Sequence, residues 1–129
     1  MVPGCIRVLL SGERPIELAR QDSSRLVFID GRLPDVGADA GLFPSVSLDW
    51  ASLFSWNGEG SMPPEVARTV SRLVDQTHSA GQTLRFWGTT DNPTMWSALL
   101  DLGVDLVSVD EVEALTTFLA GRGATSTRP

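Results

Sequence analysis

The sequence predicts an α/β fold in which parallel strands alternate with helices. Three observations predict it. Five short apolar segments recur along the chain, at Ile6–Ser11, Leu26–Asp30, Val46–Asp49, Leu84–Trp87 and Val104–Asp110. Helical patterns follow most of them, as parallel strands require. Each segment also ends in a polar residue, and ligand chemistry in such folds collects at the carboxyl ends of the strands. Those ends carry Ser11, Asp30, Asp49, Arg85 with Trp87, and Ser108 with Asp110.

The elements follow in order. Ile6–Leu10 is apolar except for Arg7, and Ser11-Gly12 closes it. Pro15 suits the first position of a short helix that runs to about Arg20. Leu26–Ile29 forms the second strand, stopped by Asp30-Gly31. Pro34, Gly37, Gly41 and Pro44 punctuate a loop from Arg32 to Pro44. The third strand starts at Val46 and reaches Trp50. An aromatic, glycine-rich loop then carries Phe54, Trp56, Gly58 and Gly60.

Pro63-Pro64-Glu65 opens the longest helix. Its residues Val66, Val70, Leu73, Val74 and Thr77 share one face. Gly81 suits its stop. Thr83–Trp87 is the fourth strand, and Asn92-Pro93 starts a helix that ends at Gly103. The fifth strand is Val104–Val109. Asp110 and Glu113 resemble a capping box for a last helix burying Val112, Leu115, Phe118 and Leu119. The expected domain is residues 1–121, with 122–129 a flexible tail.

Composition narrows the function. A chain of 129 residues suits one domain or part of one. The net charge of −6 argues against nucleic acid and anionic membranes as partners. All ten basic residues are Arg, so lysine-based catalysis is impossible. The single cysteine, Cys5, excludes an internal disulfide and a cysteine-cluster metal site, and is expected to be a small buried residue opening the first strand. The single histidine, His78, is expected on the surface, and no histidine pair exists for a metal or for acid–base work. No signal peptide or membrane-length apolar run is present, which predicts a cytoplasmic chain.

Strand alternation sorts the polar residues. Leu84 and Phe86 share one face, and Arg85 and Trp87 share the other. Val46, Leu48 and Trp50 oppose Ser47 and Asp49, while Ser108 and Asp110 lie with Leu106. Helices cover apolar faces, so the polar parity faces elsewhere, as a barrel interior would allow. A lone buried guanidinium would be costly, so Arg85 requires company. Asp30, Asp49 and Asp110 are its candidate partners, in an ion-pair cluster or in a ligand site. Asp110 also reads as a helix N-cap and Asp30 as a turn former. Trp96 is expected in the core; Trp50, Phe54 and Trp56 fit either the core or an apolar patch beside a pocket.

Two stretches carry a family resemblance. They are SLDWASLFSWNGEGSMPPE (Ser47–Glu65) and GQTLRFWGTTDNPTMWSALLDLGVDLVSVDEVEAL (Gly81–Leu115). The second resembles the end of the phosphatidylinositol-phospholipase-C-like and glycerophosphodiester phosphodiesterase superfamily. A tryptophan-bearing strand, an Asn-Pro helix start, a Gly-Val-Asp turn and a final strand ending in Asp form the pattern. Ile29–Leu33 (IDGRL) is similar to phospholipase-C-like proteins of bacteria and fungi. The likeness covers roughly Ile6 to Gly121. One departure is visible: the family's last strand ends Asn-Thr-Asp, and here Ser108-Val109-Asp110 stands instead.

The resemblance implies the C-terminal half of a (β/α)8 TIM-type barrel, since a full barrel needs about 250 residues. It implies a phosphoric diester hydrolase lineage acting on lipid-derived phosphodiesters. The catalytic histidines and acidic metal ligands of that family have no counterpart in these residues, so the chain alone is expected to be inactive. A divalent metal such as Ca or Mg would belong to the full family domain. The substrate-binding wall that remains is Arg85 for a phosphate oxygen, Trp87 as apolar floor, and Asp30, Asp49 and Asp110 for hydroxyls or for orienting Arg85. A non-catalytic half-barrel that pairs with itself, as a homodimer, or with a separate first half is the alternative. A receiver-like signalling domain with Asp30 as phosphoacceptor is a third reading, weakened by the absent lysine and by Ser11-Gly12 where acids would stand.

Overall fold

The computed structural model describes residues 6–125. Its elements are β1 (Leu9–Leu10), α1 (Ile16–Gln21), β2 (Phe28–Gly31), β3 (Ser45–Asp49), α2 (Trp50–Leu53), α3 (Pro64–Ser79), β4 (Thr83–Trp87), α4 (Pro93–Asp101), β5 (Leu106–Val107) and α5 (Val112–Thr125). A single 3-10 turn, Leu33–Asp35, follows β2. Cys5 lies outside the described residues.

The five strands form one parallel sheet in the order β1-β2-β3-β4-β5. Sequential order with right-handed crossovers places successive connections on one face of the sheet. The burial pattern agrees. Val46, Leu48, Leu84 and Phe86 are buried against Val70, Leu73 and Val74 of α3 and Met95 and Leu99 of α4. A smaller cluster joins Ile29 to Ala19 of α1 and to Leu42 and Phe43. The order also differs from the 2-1-3-4-5 sheet of doubly wound receiver domains, which corrects the third reading.

Alternation in β3 and β4 is as expected. The other face carries Ser47, Asp49, Arg85 and Trp87, all partly or well exposed. Trp50 begins α2 instead of ending β3, and it joins the core at 3% exposure. Phe54 and Trp56 pack against that core beside it. The Trp50 indole donates to the Trp56 carbonyl at 2.7 Å, and the Trp56 indole to the Glu59 carbonyl at 2.9 Å. Gly58, at φ +90°, lets this loop touch Asn92; a Cβ there would sit 2.8 Å from the Asn92 side chain. Asn92 in turn caps α4 by accepting the Met95 N–H at 2.7 Å.

The ends of the sheet depart from expectation. β1 is two residues long, and Ile6 and Val8 ahead of it are exposed, because none of the described residues lies beyond this edge to cover them. β5 is also two residues. The Asp105 carboxylate accepts the Leu84 N–H at 2.8 Å, replacing with a side chain a bond that a longer strand would make with its backbone. The same carboxylate meets the half-exposed His78 ring at 2.7 Å.

Helix α5 corrects three expectations. It opens after Glu111, and the two amides before it, Asp110 N–H and Glu111 N–H, donate to the Asp91 carboxylate at 2.8 and 2.9 Å. Asp110 is therefore not the cap: Asp91, on the loop after β4, neutralises those donors first. Leu115 and Phe118 are half-buried, with the Phe118 ring tilted 5.4 Å from Trp96, but Val112 and Leu119 are exposed because no element among the described residues covers that side. The helix also continues through Thr125 instead of loosening after Gly121, and an Arg122–Asp101 ion pair ties it to α4. Residues 126–129 of the expected tail lie outside the described residues.

Candidate anion-binding face

Register builds the site. Ser47 pairs with Arg85, and Asp49 with Trp87, so four polar-face side chains form a block from the middle to the carboxyl ends of β3 and β4. Asp30 of β2 reaches the same block: its Oδ1 accepts the Ser47 hydroxyl at 2.8 Å. A cavity of about 580 Å3 opens above them. Its walls come from the ends of four strands, with Ser11 after β1, Asp30 and Arg32 at β2, Ser47 and Asp49 on β3, and Arg85 and Trp87 on β4.

A second hollow of about 380 Å3 lies on the β5 side. It shares Arg85 and Trp87 with the first and adds Ser108 and Asp110. The five expected site residues are thus divided. Asp30 and Asp49 line the larger cavity, Asp110 the smaller, and Arg85 and Trp87 stand between them.

The expected ion-pair cluster does not form. Arg85 is half-buried, yet it makes no hydrogen bond or ion pair among the described residues. Two of its candidate partners are engaged elsewhere. Asp30 holds Ser47. Asp49 caps α2, accepting the Ala51 N–H at 3.2 Å and the Ser52 hydroxyl at 2.7 Å. Asp110 makes no such contact with Arg85. The arginine that does pair is Arg14, which meets Asp35 at 2.7 Å and donates to the Asp30 carbonyl at 2.9 Å, bracing the end of β2.

Two contributors escaped the sequence reading. Arg32 lines the larger cavity, and its guanidinium holds the Gly12 carbonyl, linking the ends of β1 and β2. Its position just past Asp30-Gly31 was the available signal. Ser108 was noted only as a strand end; its hydroxyl is buried without a partner beside Arg85 in the smaller hollow.

The arrangement suits an anion. A guanidinium offers five fixed N–H donors and keeps its charge at any physiological pH. A half-buried cation without a counter-ion carries a desolvation cost that a bound phosphate would relieve. Trp87, 44% exposed, provides an apolar surface next to it. The single histidine takes no part: His78 contacts Asp105 and lines neither hollow. Among the described residues no three His, Cys, Asp or Glu side chains converge on one point.

Because Asp49 is a cap, its loss should show in stability. Asp49→Ala is expected to cost about 1 kcal/mol, and Asp49→Asn only a few tenths. Urea unfolding of the two variants checks this; equal losses would mean that charge, not the cap bond, matters.

Among the described residues no helix is long and apolar enough to cross a membrane. The chain matches no protein-family model, no curated protein and no solved structure.

Proposed function

We propose that this chain is the C-terminal half of a phosphodiesterase-like (β/α)8 barrel and forms the phosphate-binding wall of its pocket. Its ligand is a phosphodiester of the glycerophosphodiester or lipid head-group type. Arg85 binds a non-bridging phosphate oxygen, Trp87 supports the organic part, and Asp30, Asp49 and Asp110 face hydroxyls at the periphery. The chain by itself binds and does not hydrolyse, since among the described residues no histidine lines either hollow. One observation carries this reading: a half-buried Arg85 without a partner among the described residues, at the middle of the interior strand β4, between two hollows. The sequential sheet order supports the barrel part of it.

Calorimetric or NMR titration with inorganic phosphate and with glycerophosphocholine tests it. Arg85→Ala is expected to weaken binding by about tenfold or more, the size of one charge-assisted hydrogen-bonded contact. Arg85→Lys should recover part of the loss, since the charge returns without the fork. Thermal stability of Arg85→Ala should equal or exceed that of the parent chain. Binding that is undiminished by Arg85→Ala would refute the assignment, as would no binding by the parent chain. Incubation with glycerophosphocholine and Ca or Mg is expected to give no turnover.

A further inference from the structure

The chain holds two asparagines, and their neighbours give them different chemistry. Asn92 precedes Pro93, whose nitrogen carries no hydrogen and cannot attack a side-chain amide. Asn57 precedes Gly58, whose nitrogen no side chain shields. Asn57 is exposed on the aromatic loop between α2 and α3. Its Oδ1 accepts the Glu59 N–H at 3.2 Å. That closure is an Asx turn, which folds the carboxamide back over the Asn57–Gly58 peptide and polarises its carbonyl. The Gly58 N–H makes no hydrogen bond among the described residues, so its nitrogen can serve as a nucleophile once deprotonated.

The surroundings decide what a change at this bond would do. The loop is anchored on both sides of the pair. The Trp56 carbonyl accepts the Trp50 indole N–H at 2.7 Å, and the Glu59 carbonyl accepts the Trp56 indole N–H at 2.9 Å. Between these anchors Gly58 is buried, at φ +90°, against the side chain of Asn92. Asn92 caps α4 by accepting the Met95 N–H at 2.7 Å. Asp91, next to it in sequence, holds the Asp110 and Glu111 amides and lines the smaller hollow.

We propose that Asn57 is a site of spontaneous deamidation to isoaspartate in the folded chain, and that the product loosens the start of α4. The Gly58 nitrogen loses its proton to solvent base and attacks Cγ of Asn57. A C–N bond forms, the Cγ–Nδ2 bond breaks, and the leaving nitrogen takes up a proton and departs as ammonia. Water then opens the succinimide ring. Opening at the main-chain carbonyl leaves the backbone running through the former side chain, as isoaspartate; opening at Cγ leaves aspartate. Solvent water is the only co-reactant. Isoaspartate lengthens the main chain by a methylene between the two anchored carbonyls, so Gly58 must shift, and the capping side chain of Asn92 lies against it. The inference goes beyond the ligand assignment and does not rest on it.

Ageing the intact chain at mildly alkaline pH tests it, with peptide mapping by mass spectrometry. The map follows the mass gain of an amide turned carboxyl, and backbone fragmentation tells isoaspartate from aspartate. Conversion is expected at Asn57 and not at Asn92. Its rate should lie within about tenfold of that in the same chain unfolded in guanidinium chloride, as for a site that needs at most local opening. Asn57→Gln should abolish it. The isoaspartate form, separated by chromatography, should melt about 4 °C lower, the size of a lost helix cap, and its Met95 amide should exchange faster. Asn57→Asp adds the charge without the methylene and should keep the parental midpoint. No conversion in the folded chain, or conversion slowed about a thousandfold or more as global unfolding would impose, overturns the site. An isoaspartate form with parental midpoint and unchanged Met95 exchange overturns the link to α4, and an equal loss in Asn57→Asp overturns the part played by chain length.

Discussion

Replacing Phe86 with Ala is expected to destabilise the chain by about 3–5 kcal/mol, enough to lower its thermal midpoint by more than about 10 °C. Phe86 is fully buried at the centre of the main core. Its ring packs 5.1 Å from Trp50 at 87° and 6.3 Å from Phe54, edge-to-face contacts that add to simple burial. Truncation opens a cavity between the sheet and α2, which packing on several sides prevents from collapsing. Small domains have about 5–15 kcal/mol in all, so a large fraction disappears. The contrast lies one residue away. Arg85→Ala touches the open face and should leave the midpoint unchanged or higher. Differential scanning calorimetry of the two variants decides it; equal destabilisation would mean that both faces of β4 are core.

Gln82→Leu is expected to cost roughly 2–4 kcal/mol despite similar volume. Gln82 is 2% exposed, and all of its amide is used. Nε2 donates to the Asp35 and Phe43 carbonyls, both at 3.0 Å, and Oε1 accepts the Gly37 N–H at 2.9 Å. One side chain ahead of β4 thereby closes the loop between β2 and β3. Leucine would strand three backbone groups near the core, each at a desolvation cost. Urea unfolding should show the loss, and amide exchange should show Gly37 opening faster than residues of α3. Because that loop also carries Arg32 and Leu33 into the larger cavity, phosphate affinity should fall modestly with it. A Gln82→Leu chain with parental stability and unchanged Gly37 exchange would show that the amide bonds add nothing net.

Particular residues show how much was legible. Thr83–Trp87 was readable to the residue, because an apolar–polar alternation between a helix stop and a glycine leaves one strand and one inward parity. The α3 and α4 starts were readable from Pro64 and from Asn92-Pro93, whose local chemistry dictates them. The strands at the borders were overlong in the reading. Ile6, Val8 and Val104 have strand propensity, but pairing at an edge depends on a neighbour that lies elsewhere in the chain or outside it. Asp110 likewise looked like a cap from spacing alone, whereas Asp91, distant in sequence, occupies those amides.

The sequence by itself determined the class of fold, the faces taken by the residues of β3 and β4 and the lack of lysine and paired-histidine chemistry. These follow from local periodicity and from which side chains exist at all. Only the tertiary structure decided the sheet order, which is set by how distant strands meet, and the fate of Arg85. Three carboxylates were available in sequence to neutralise it. In space Asp30 accepts from Ser47 on the neighbouring strand, and Asp49 from the first turn of α2, so neither carboxylate pairs with the arginine. The arginine is left facing open space, and that is a property of three-dimensional placement.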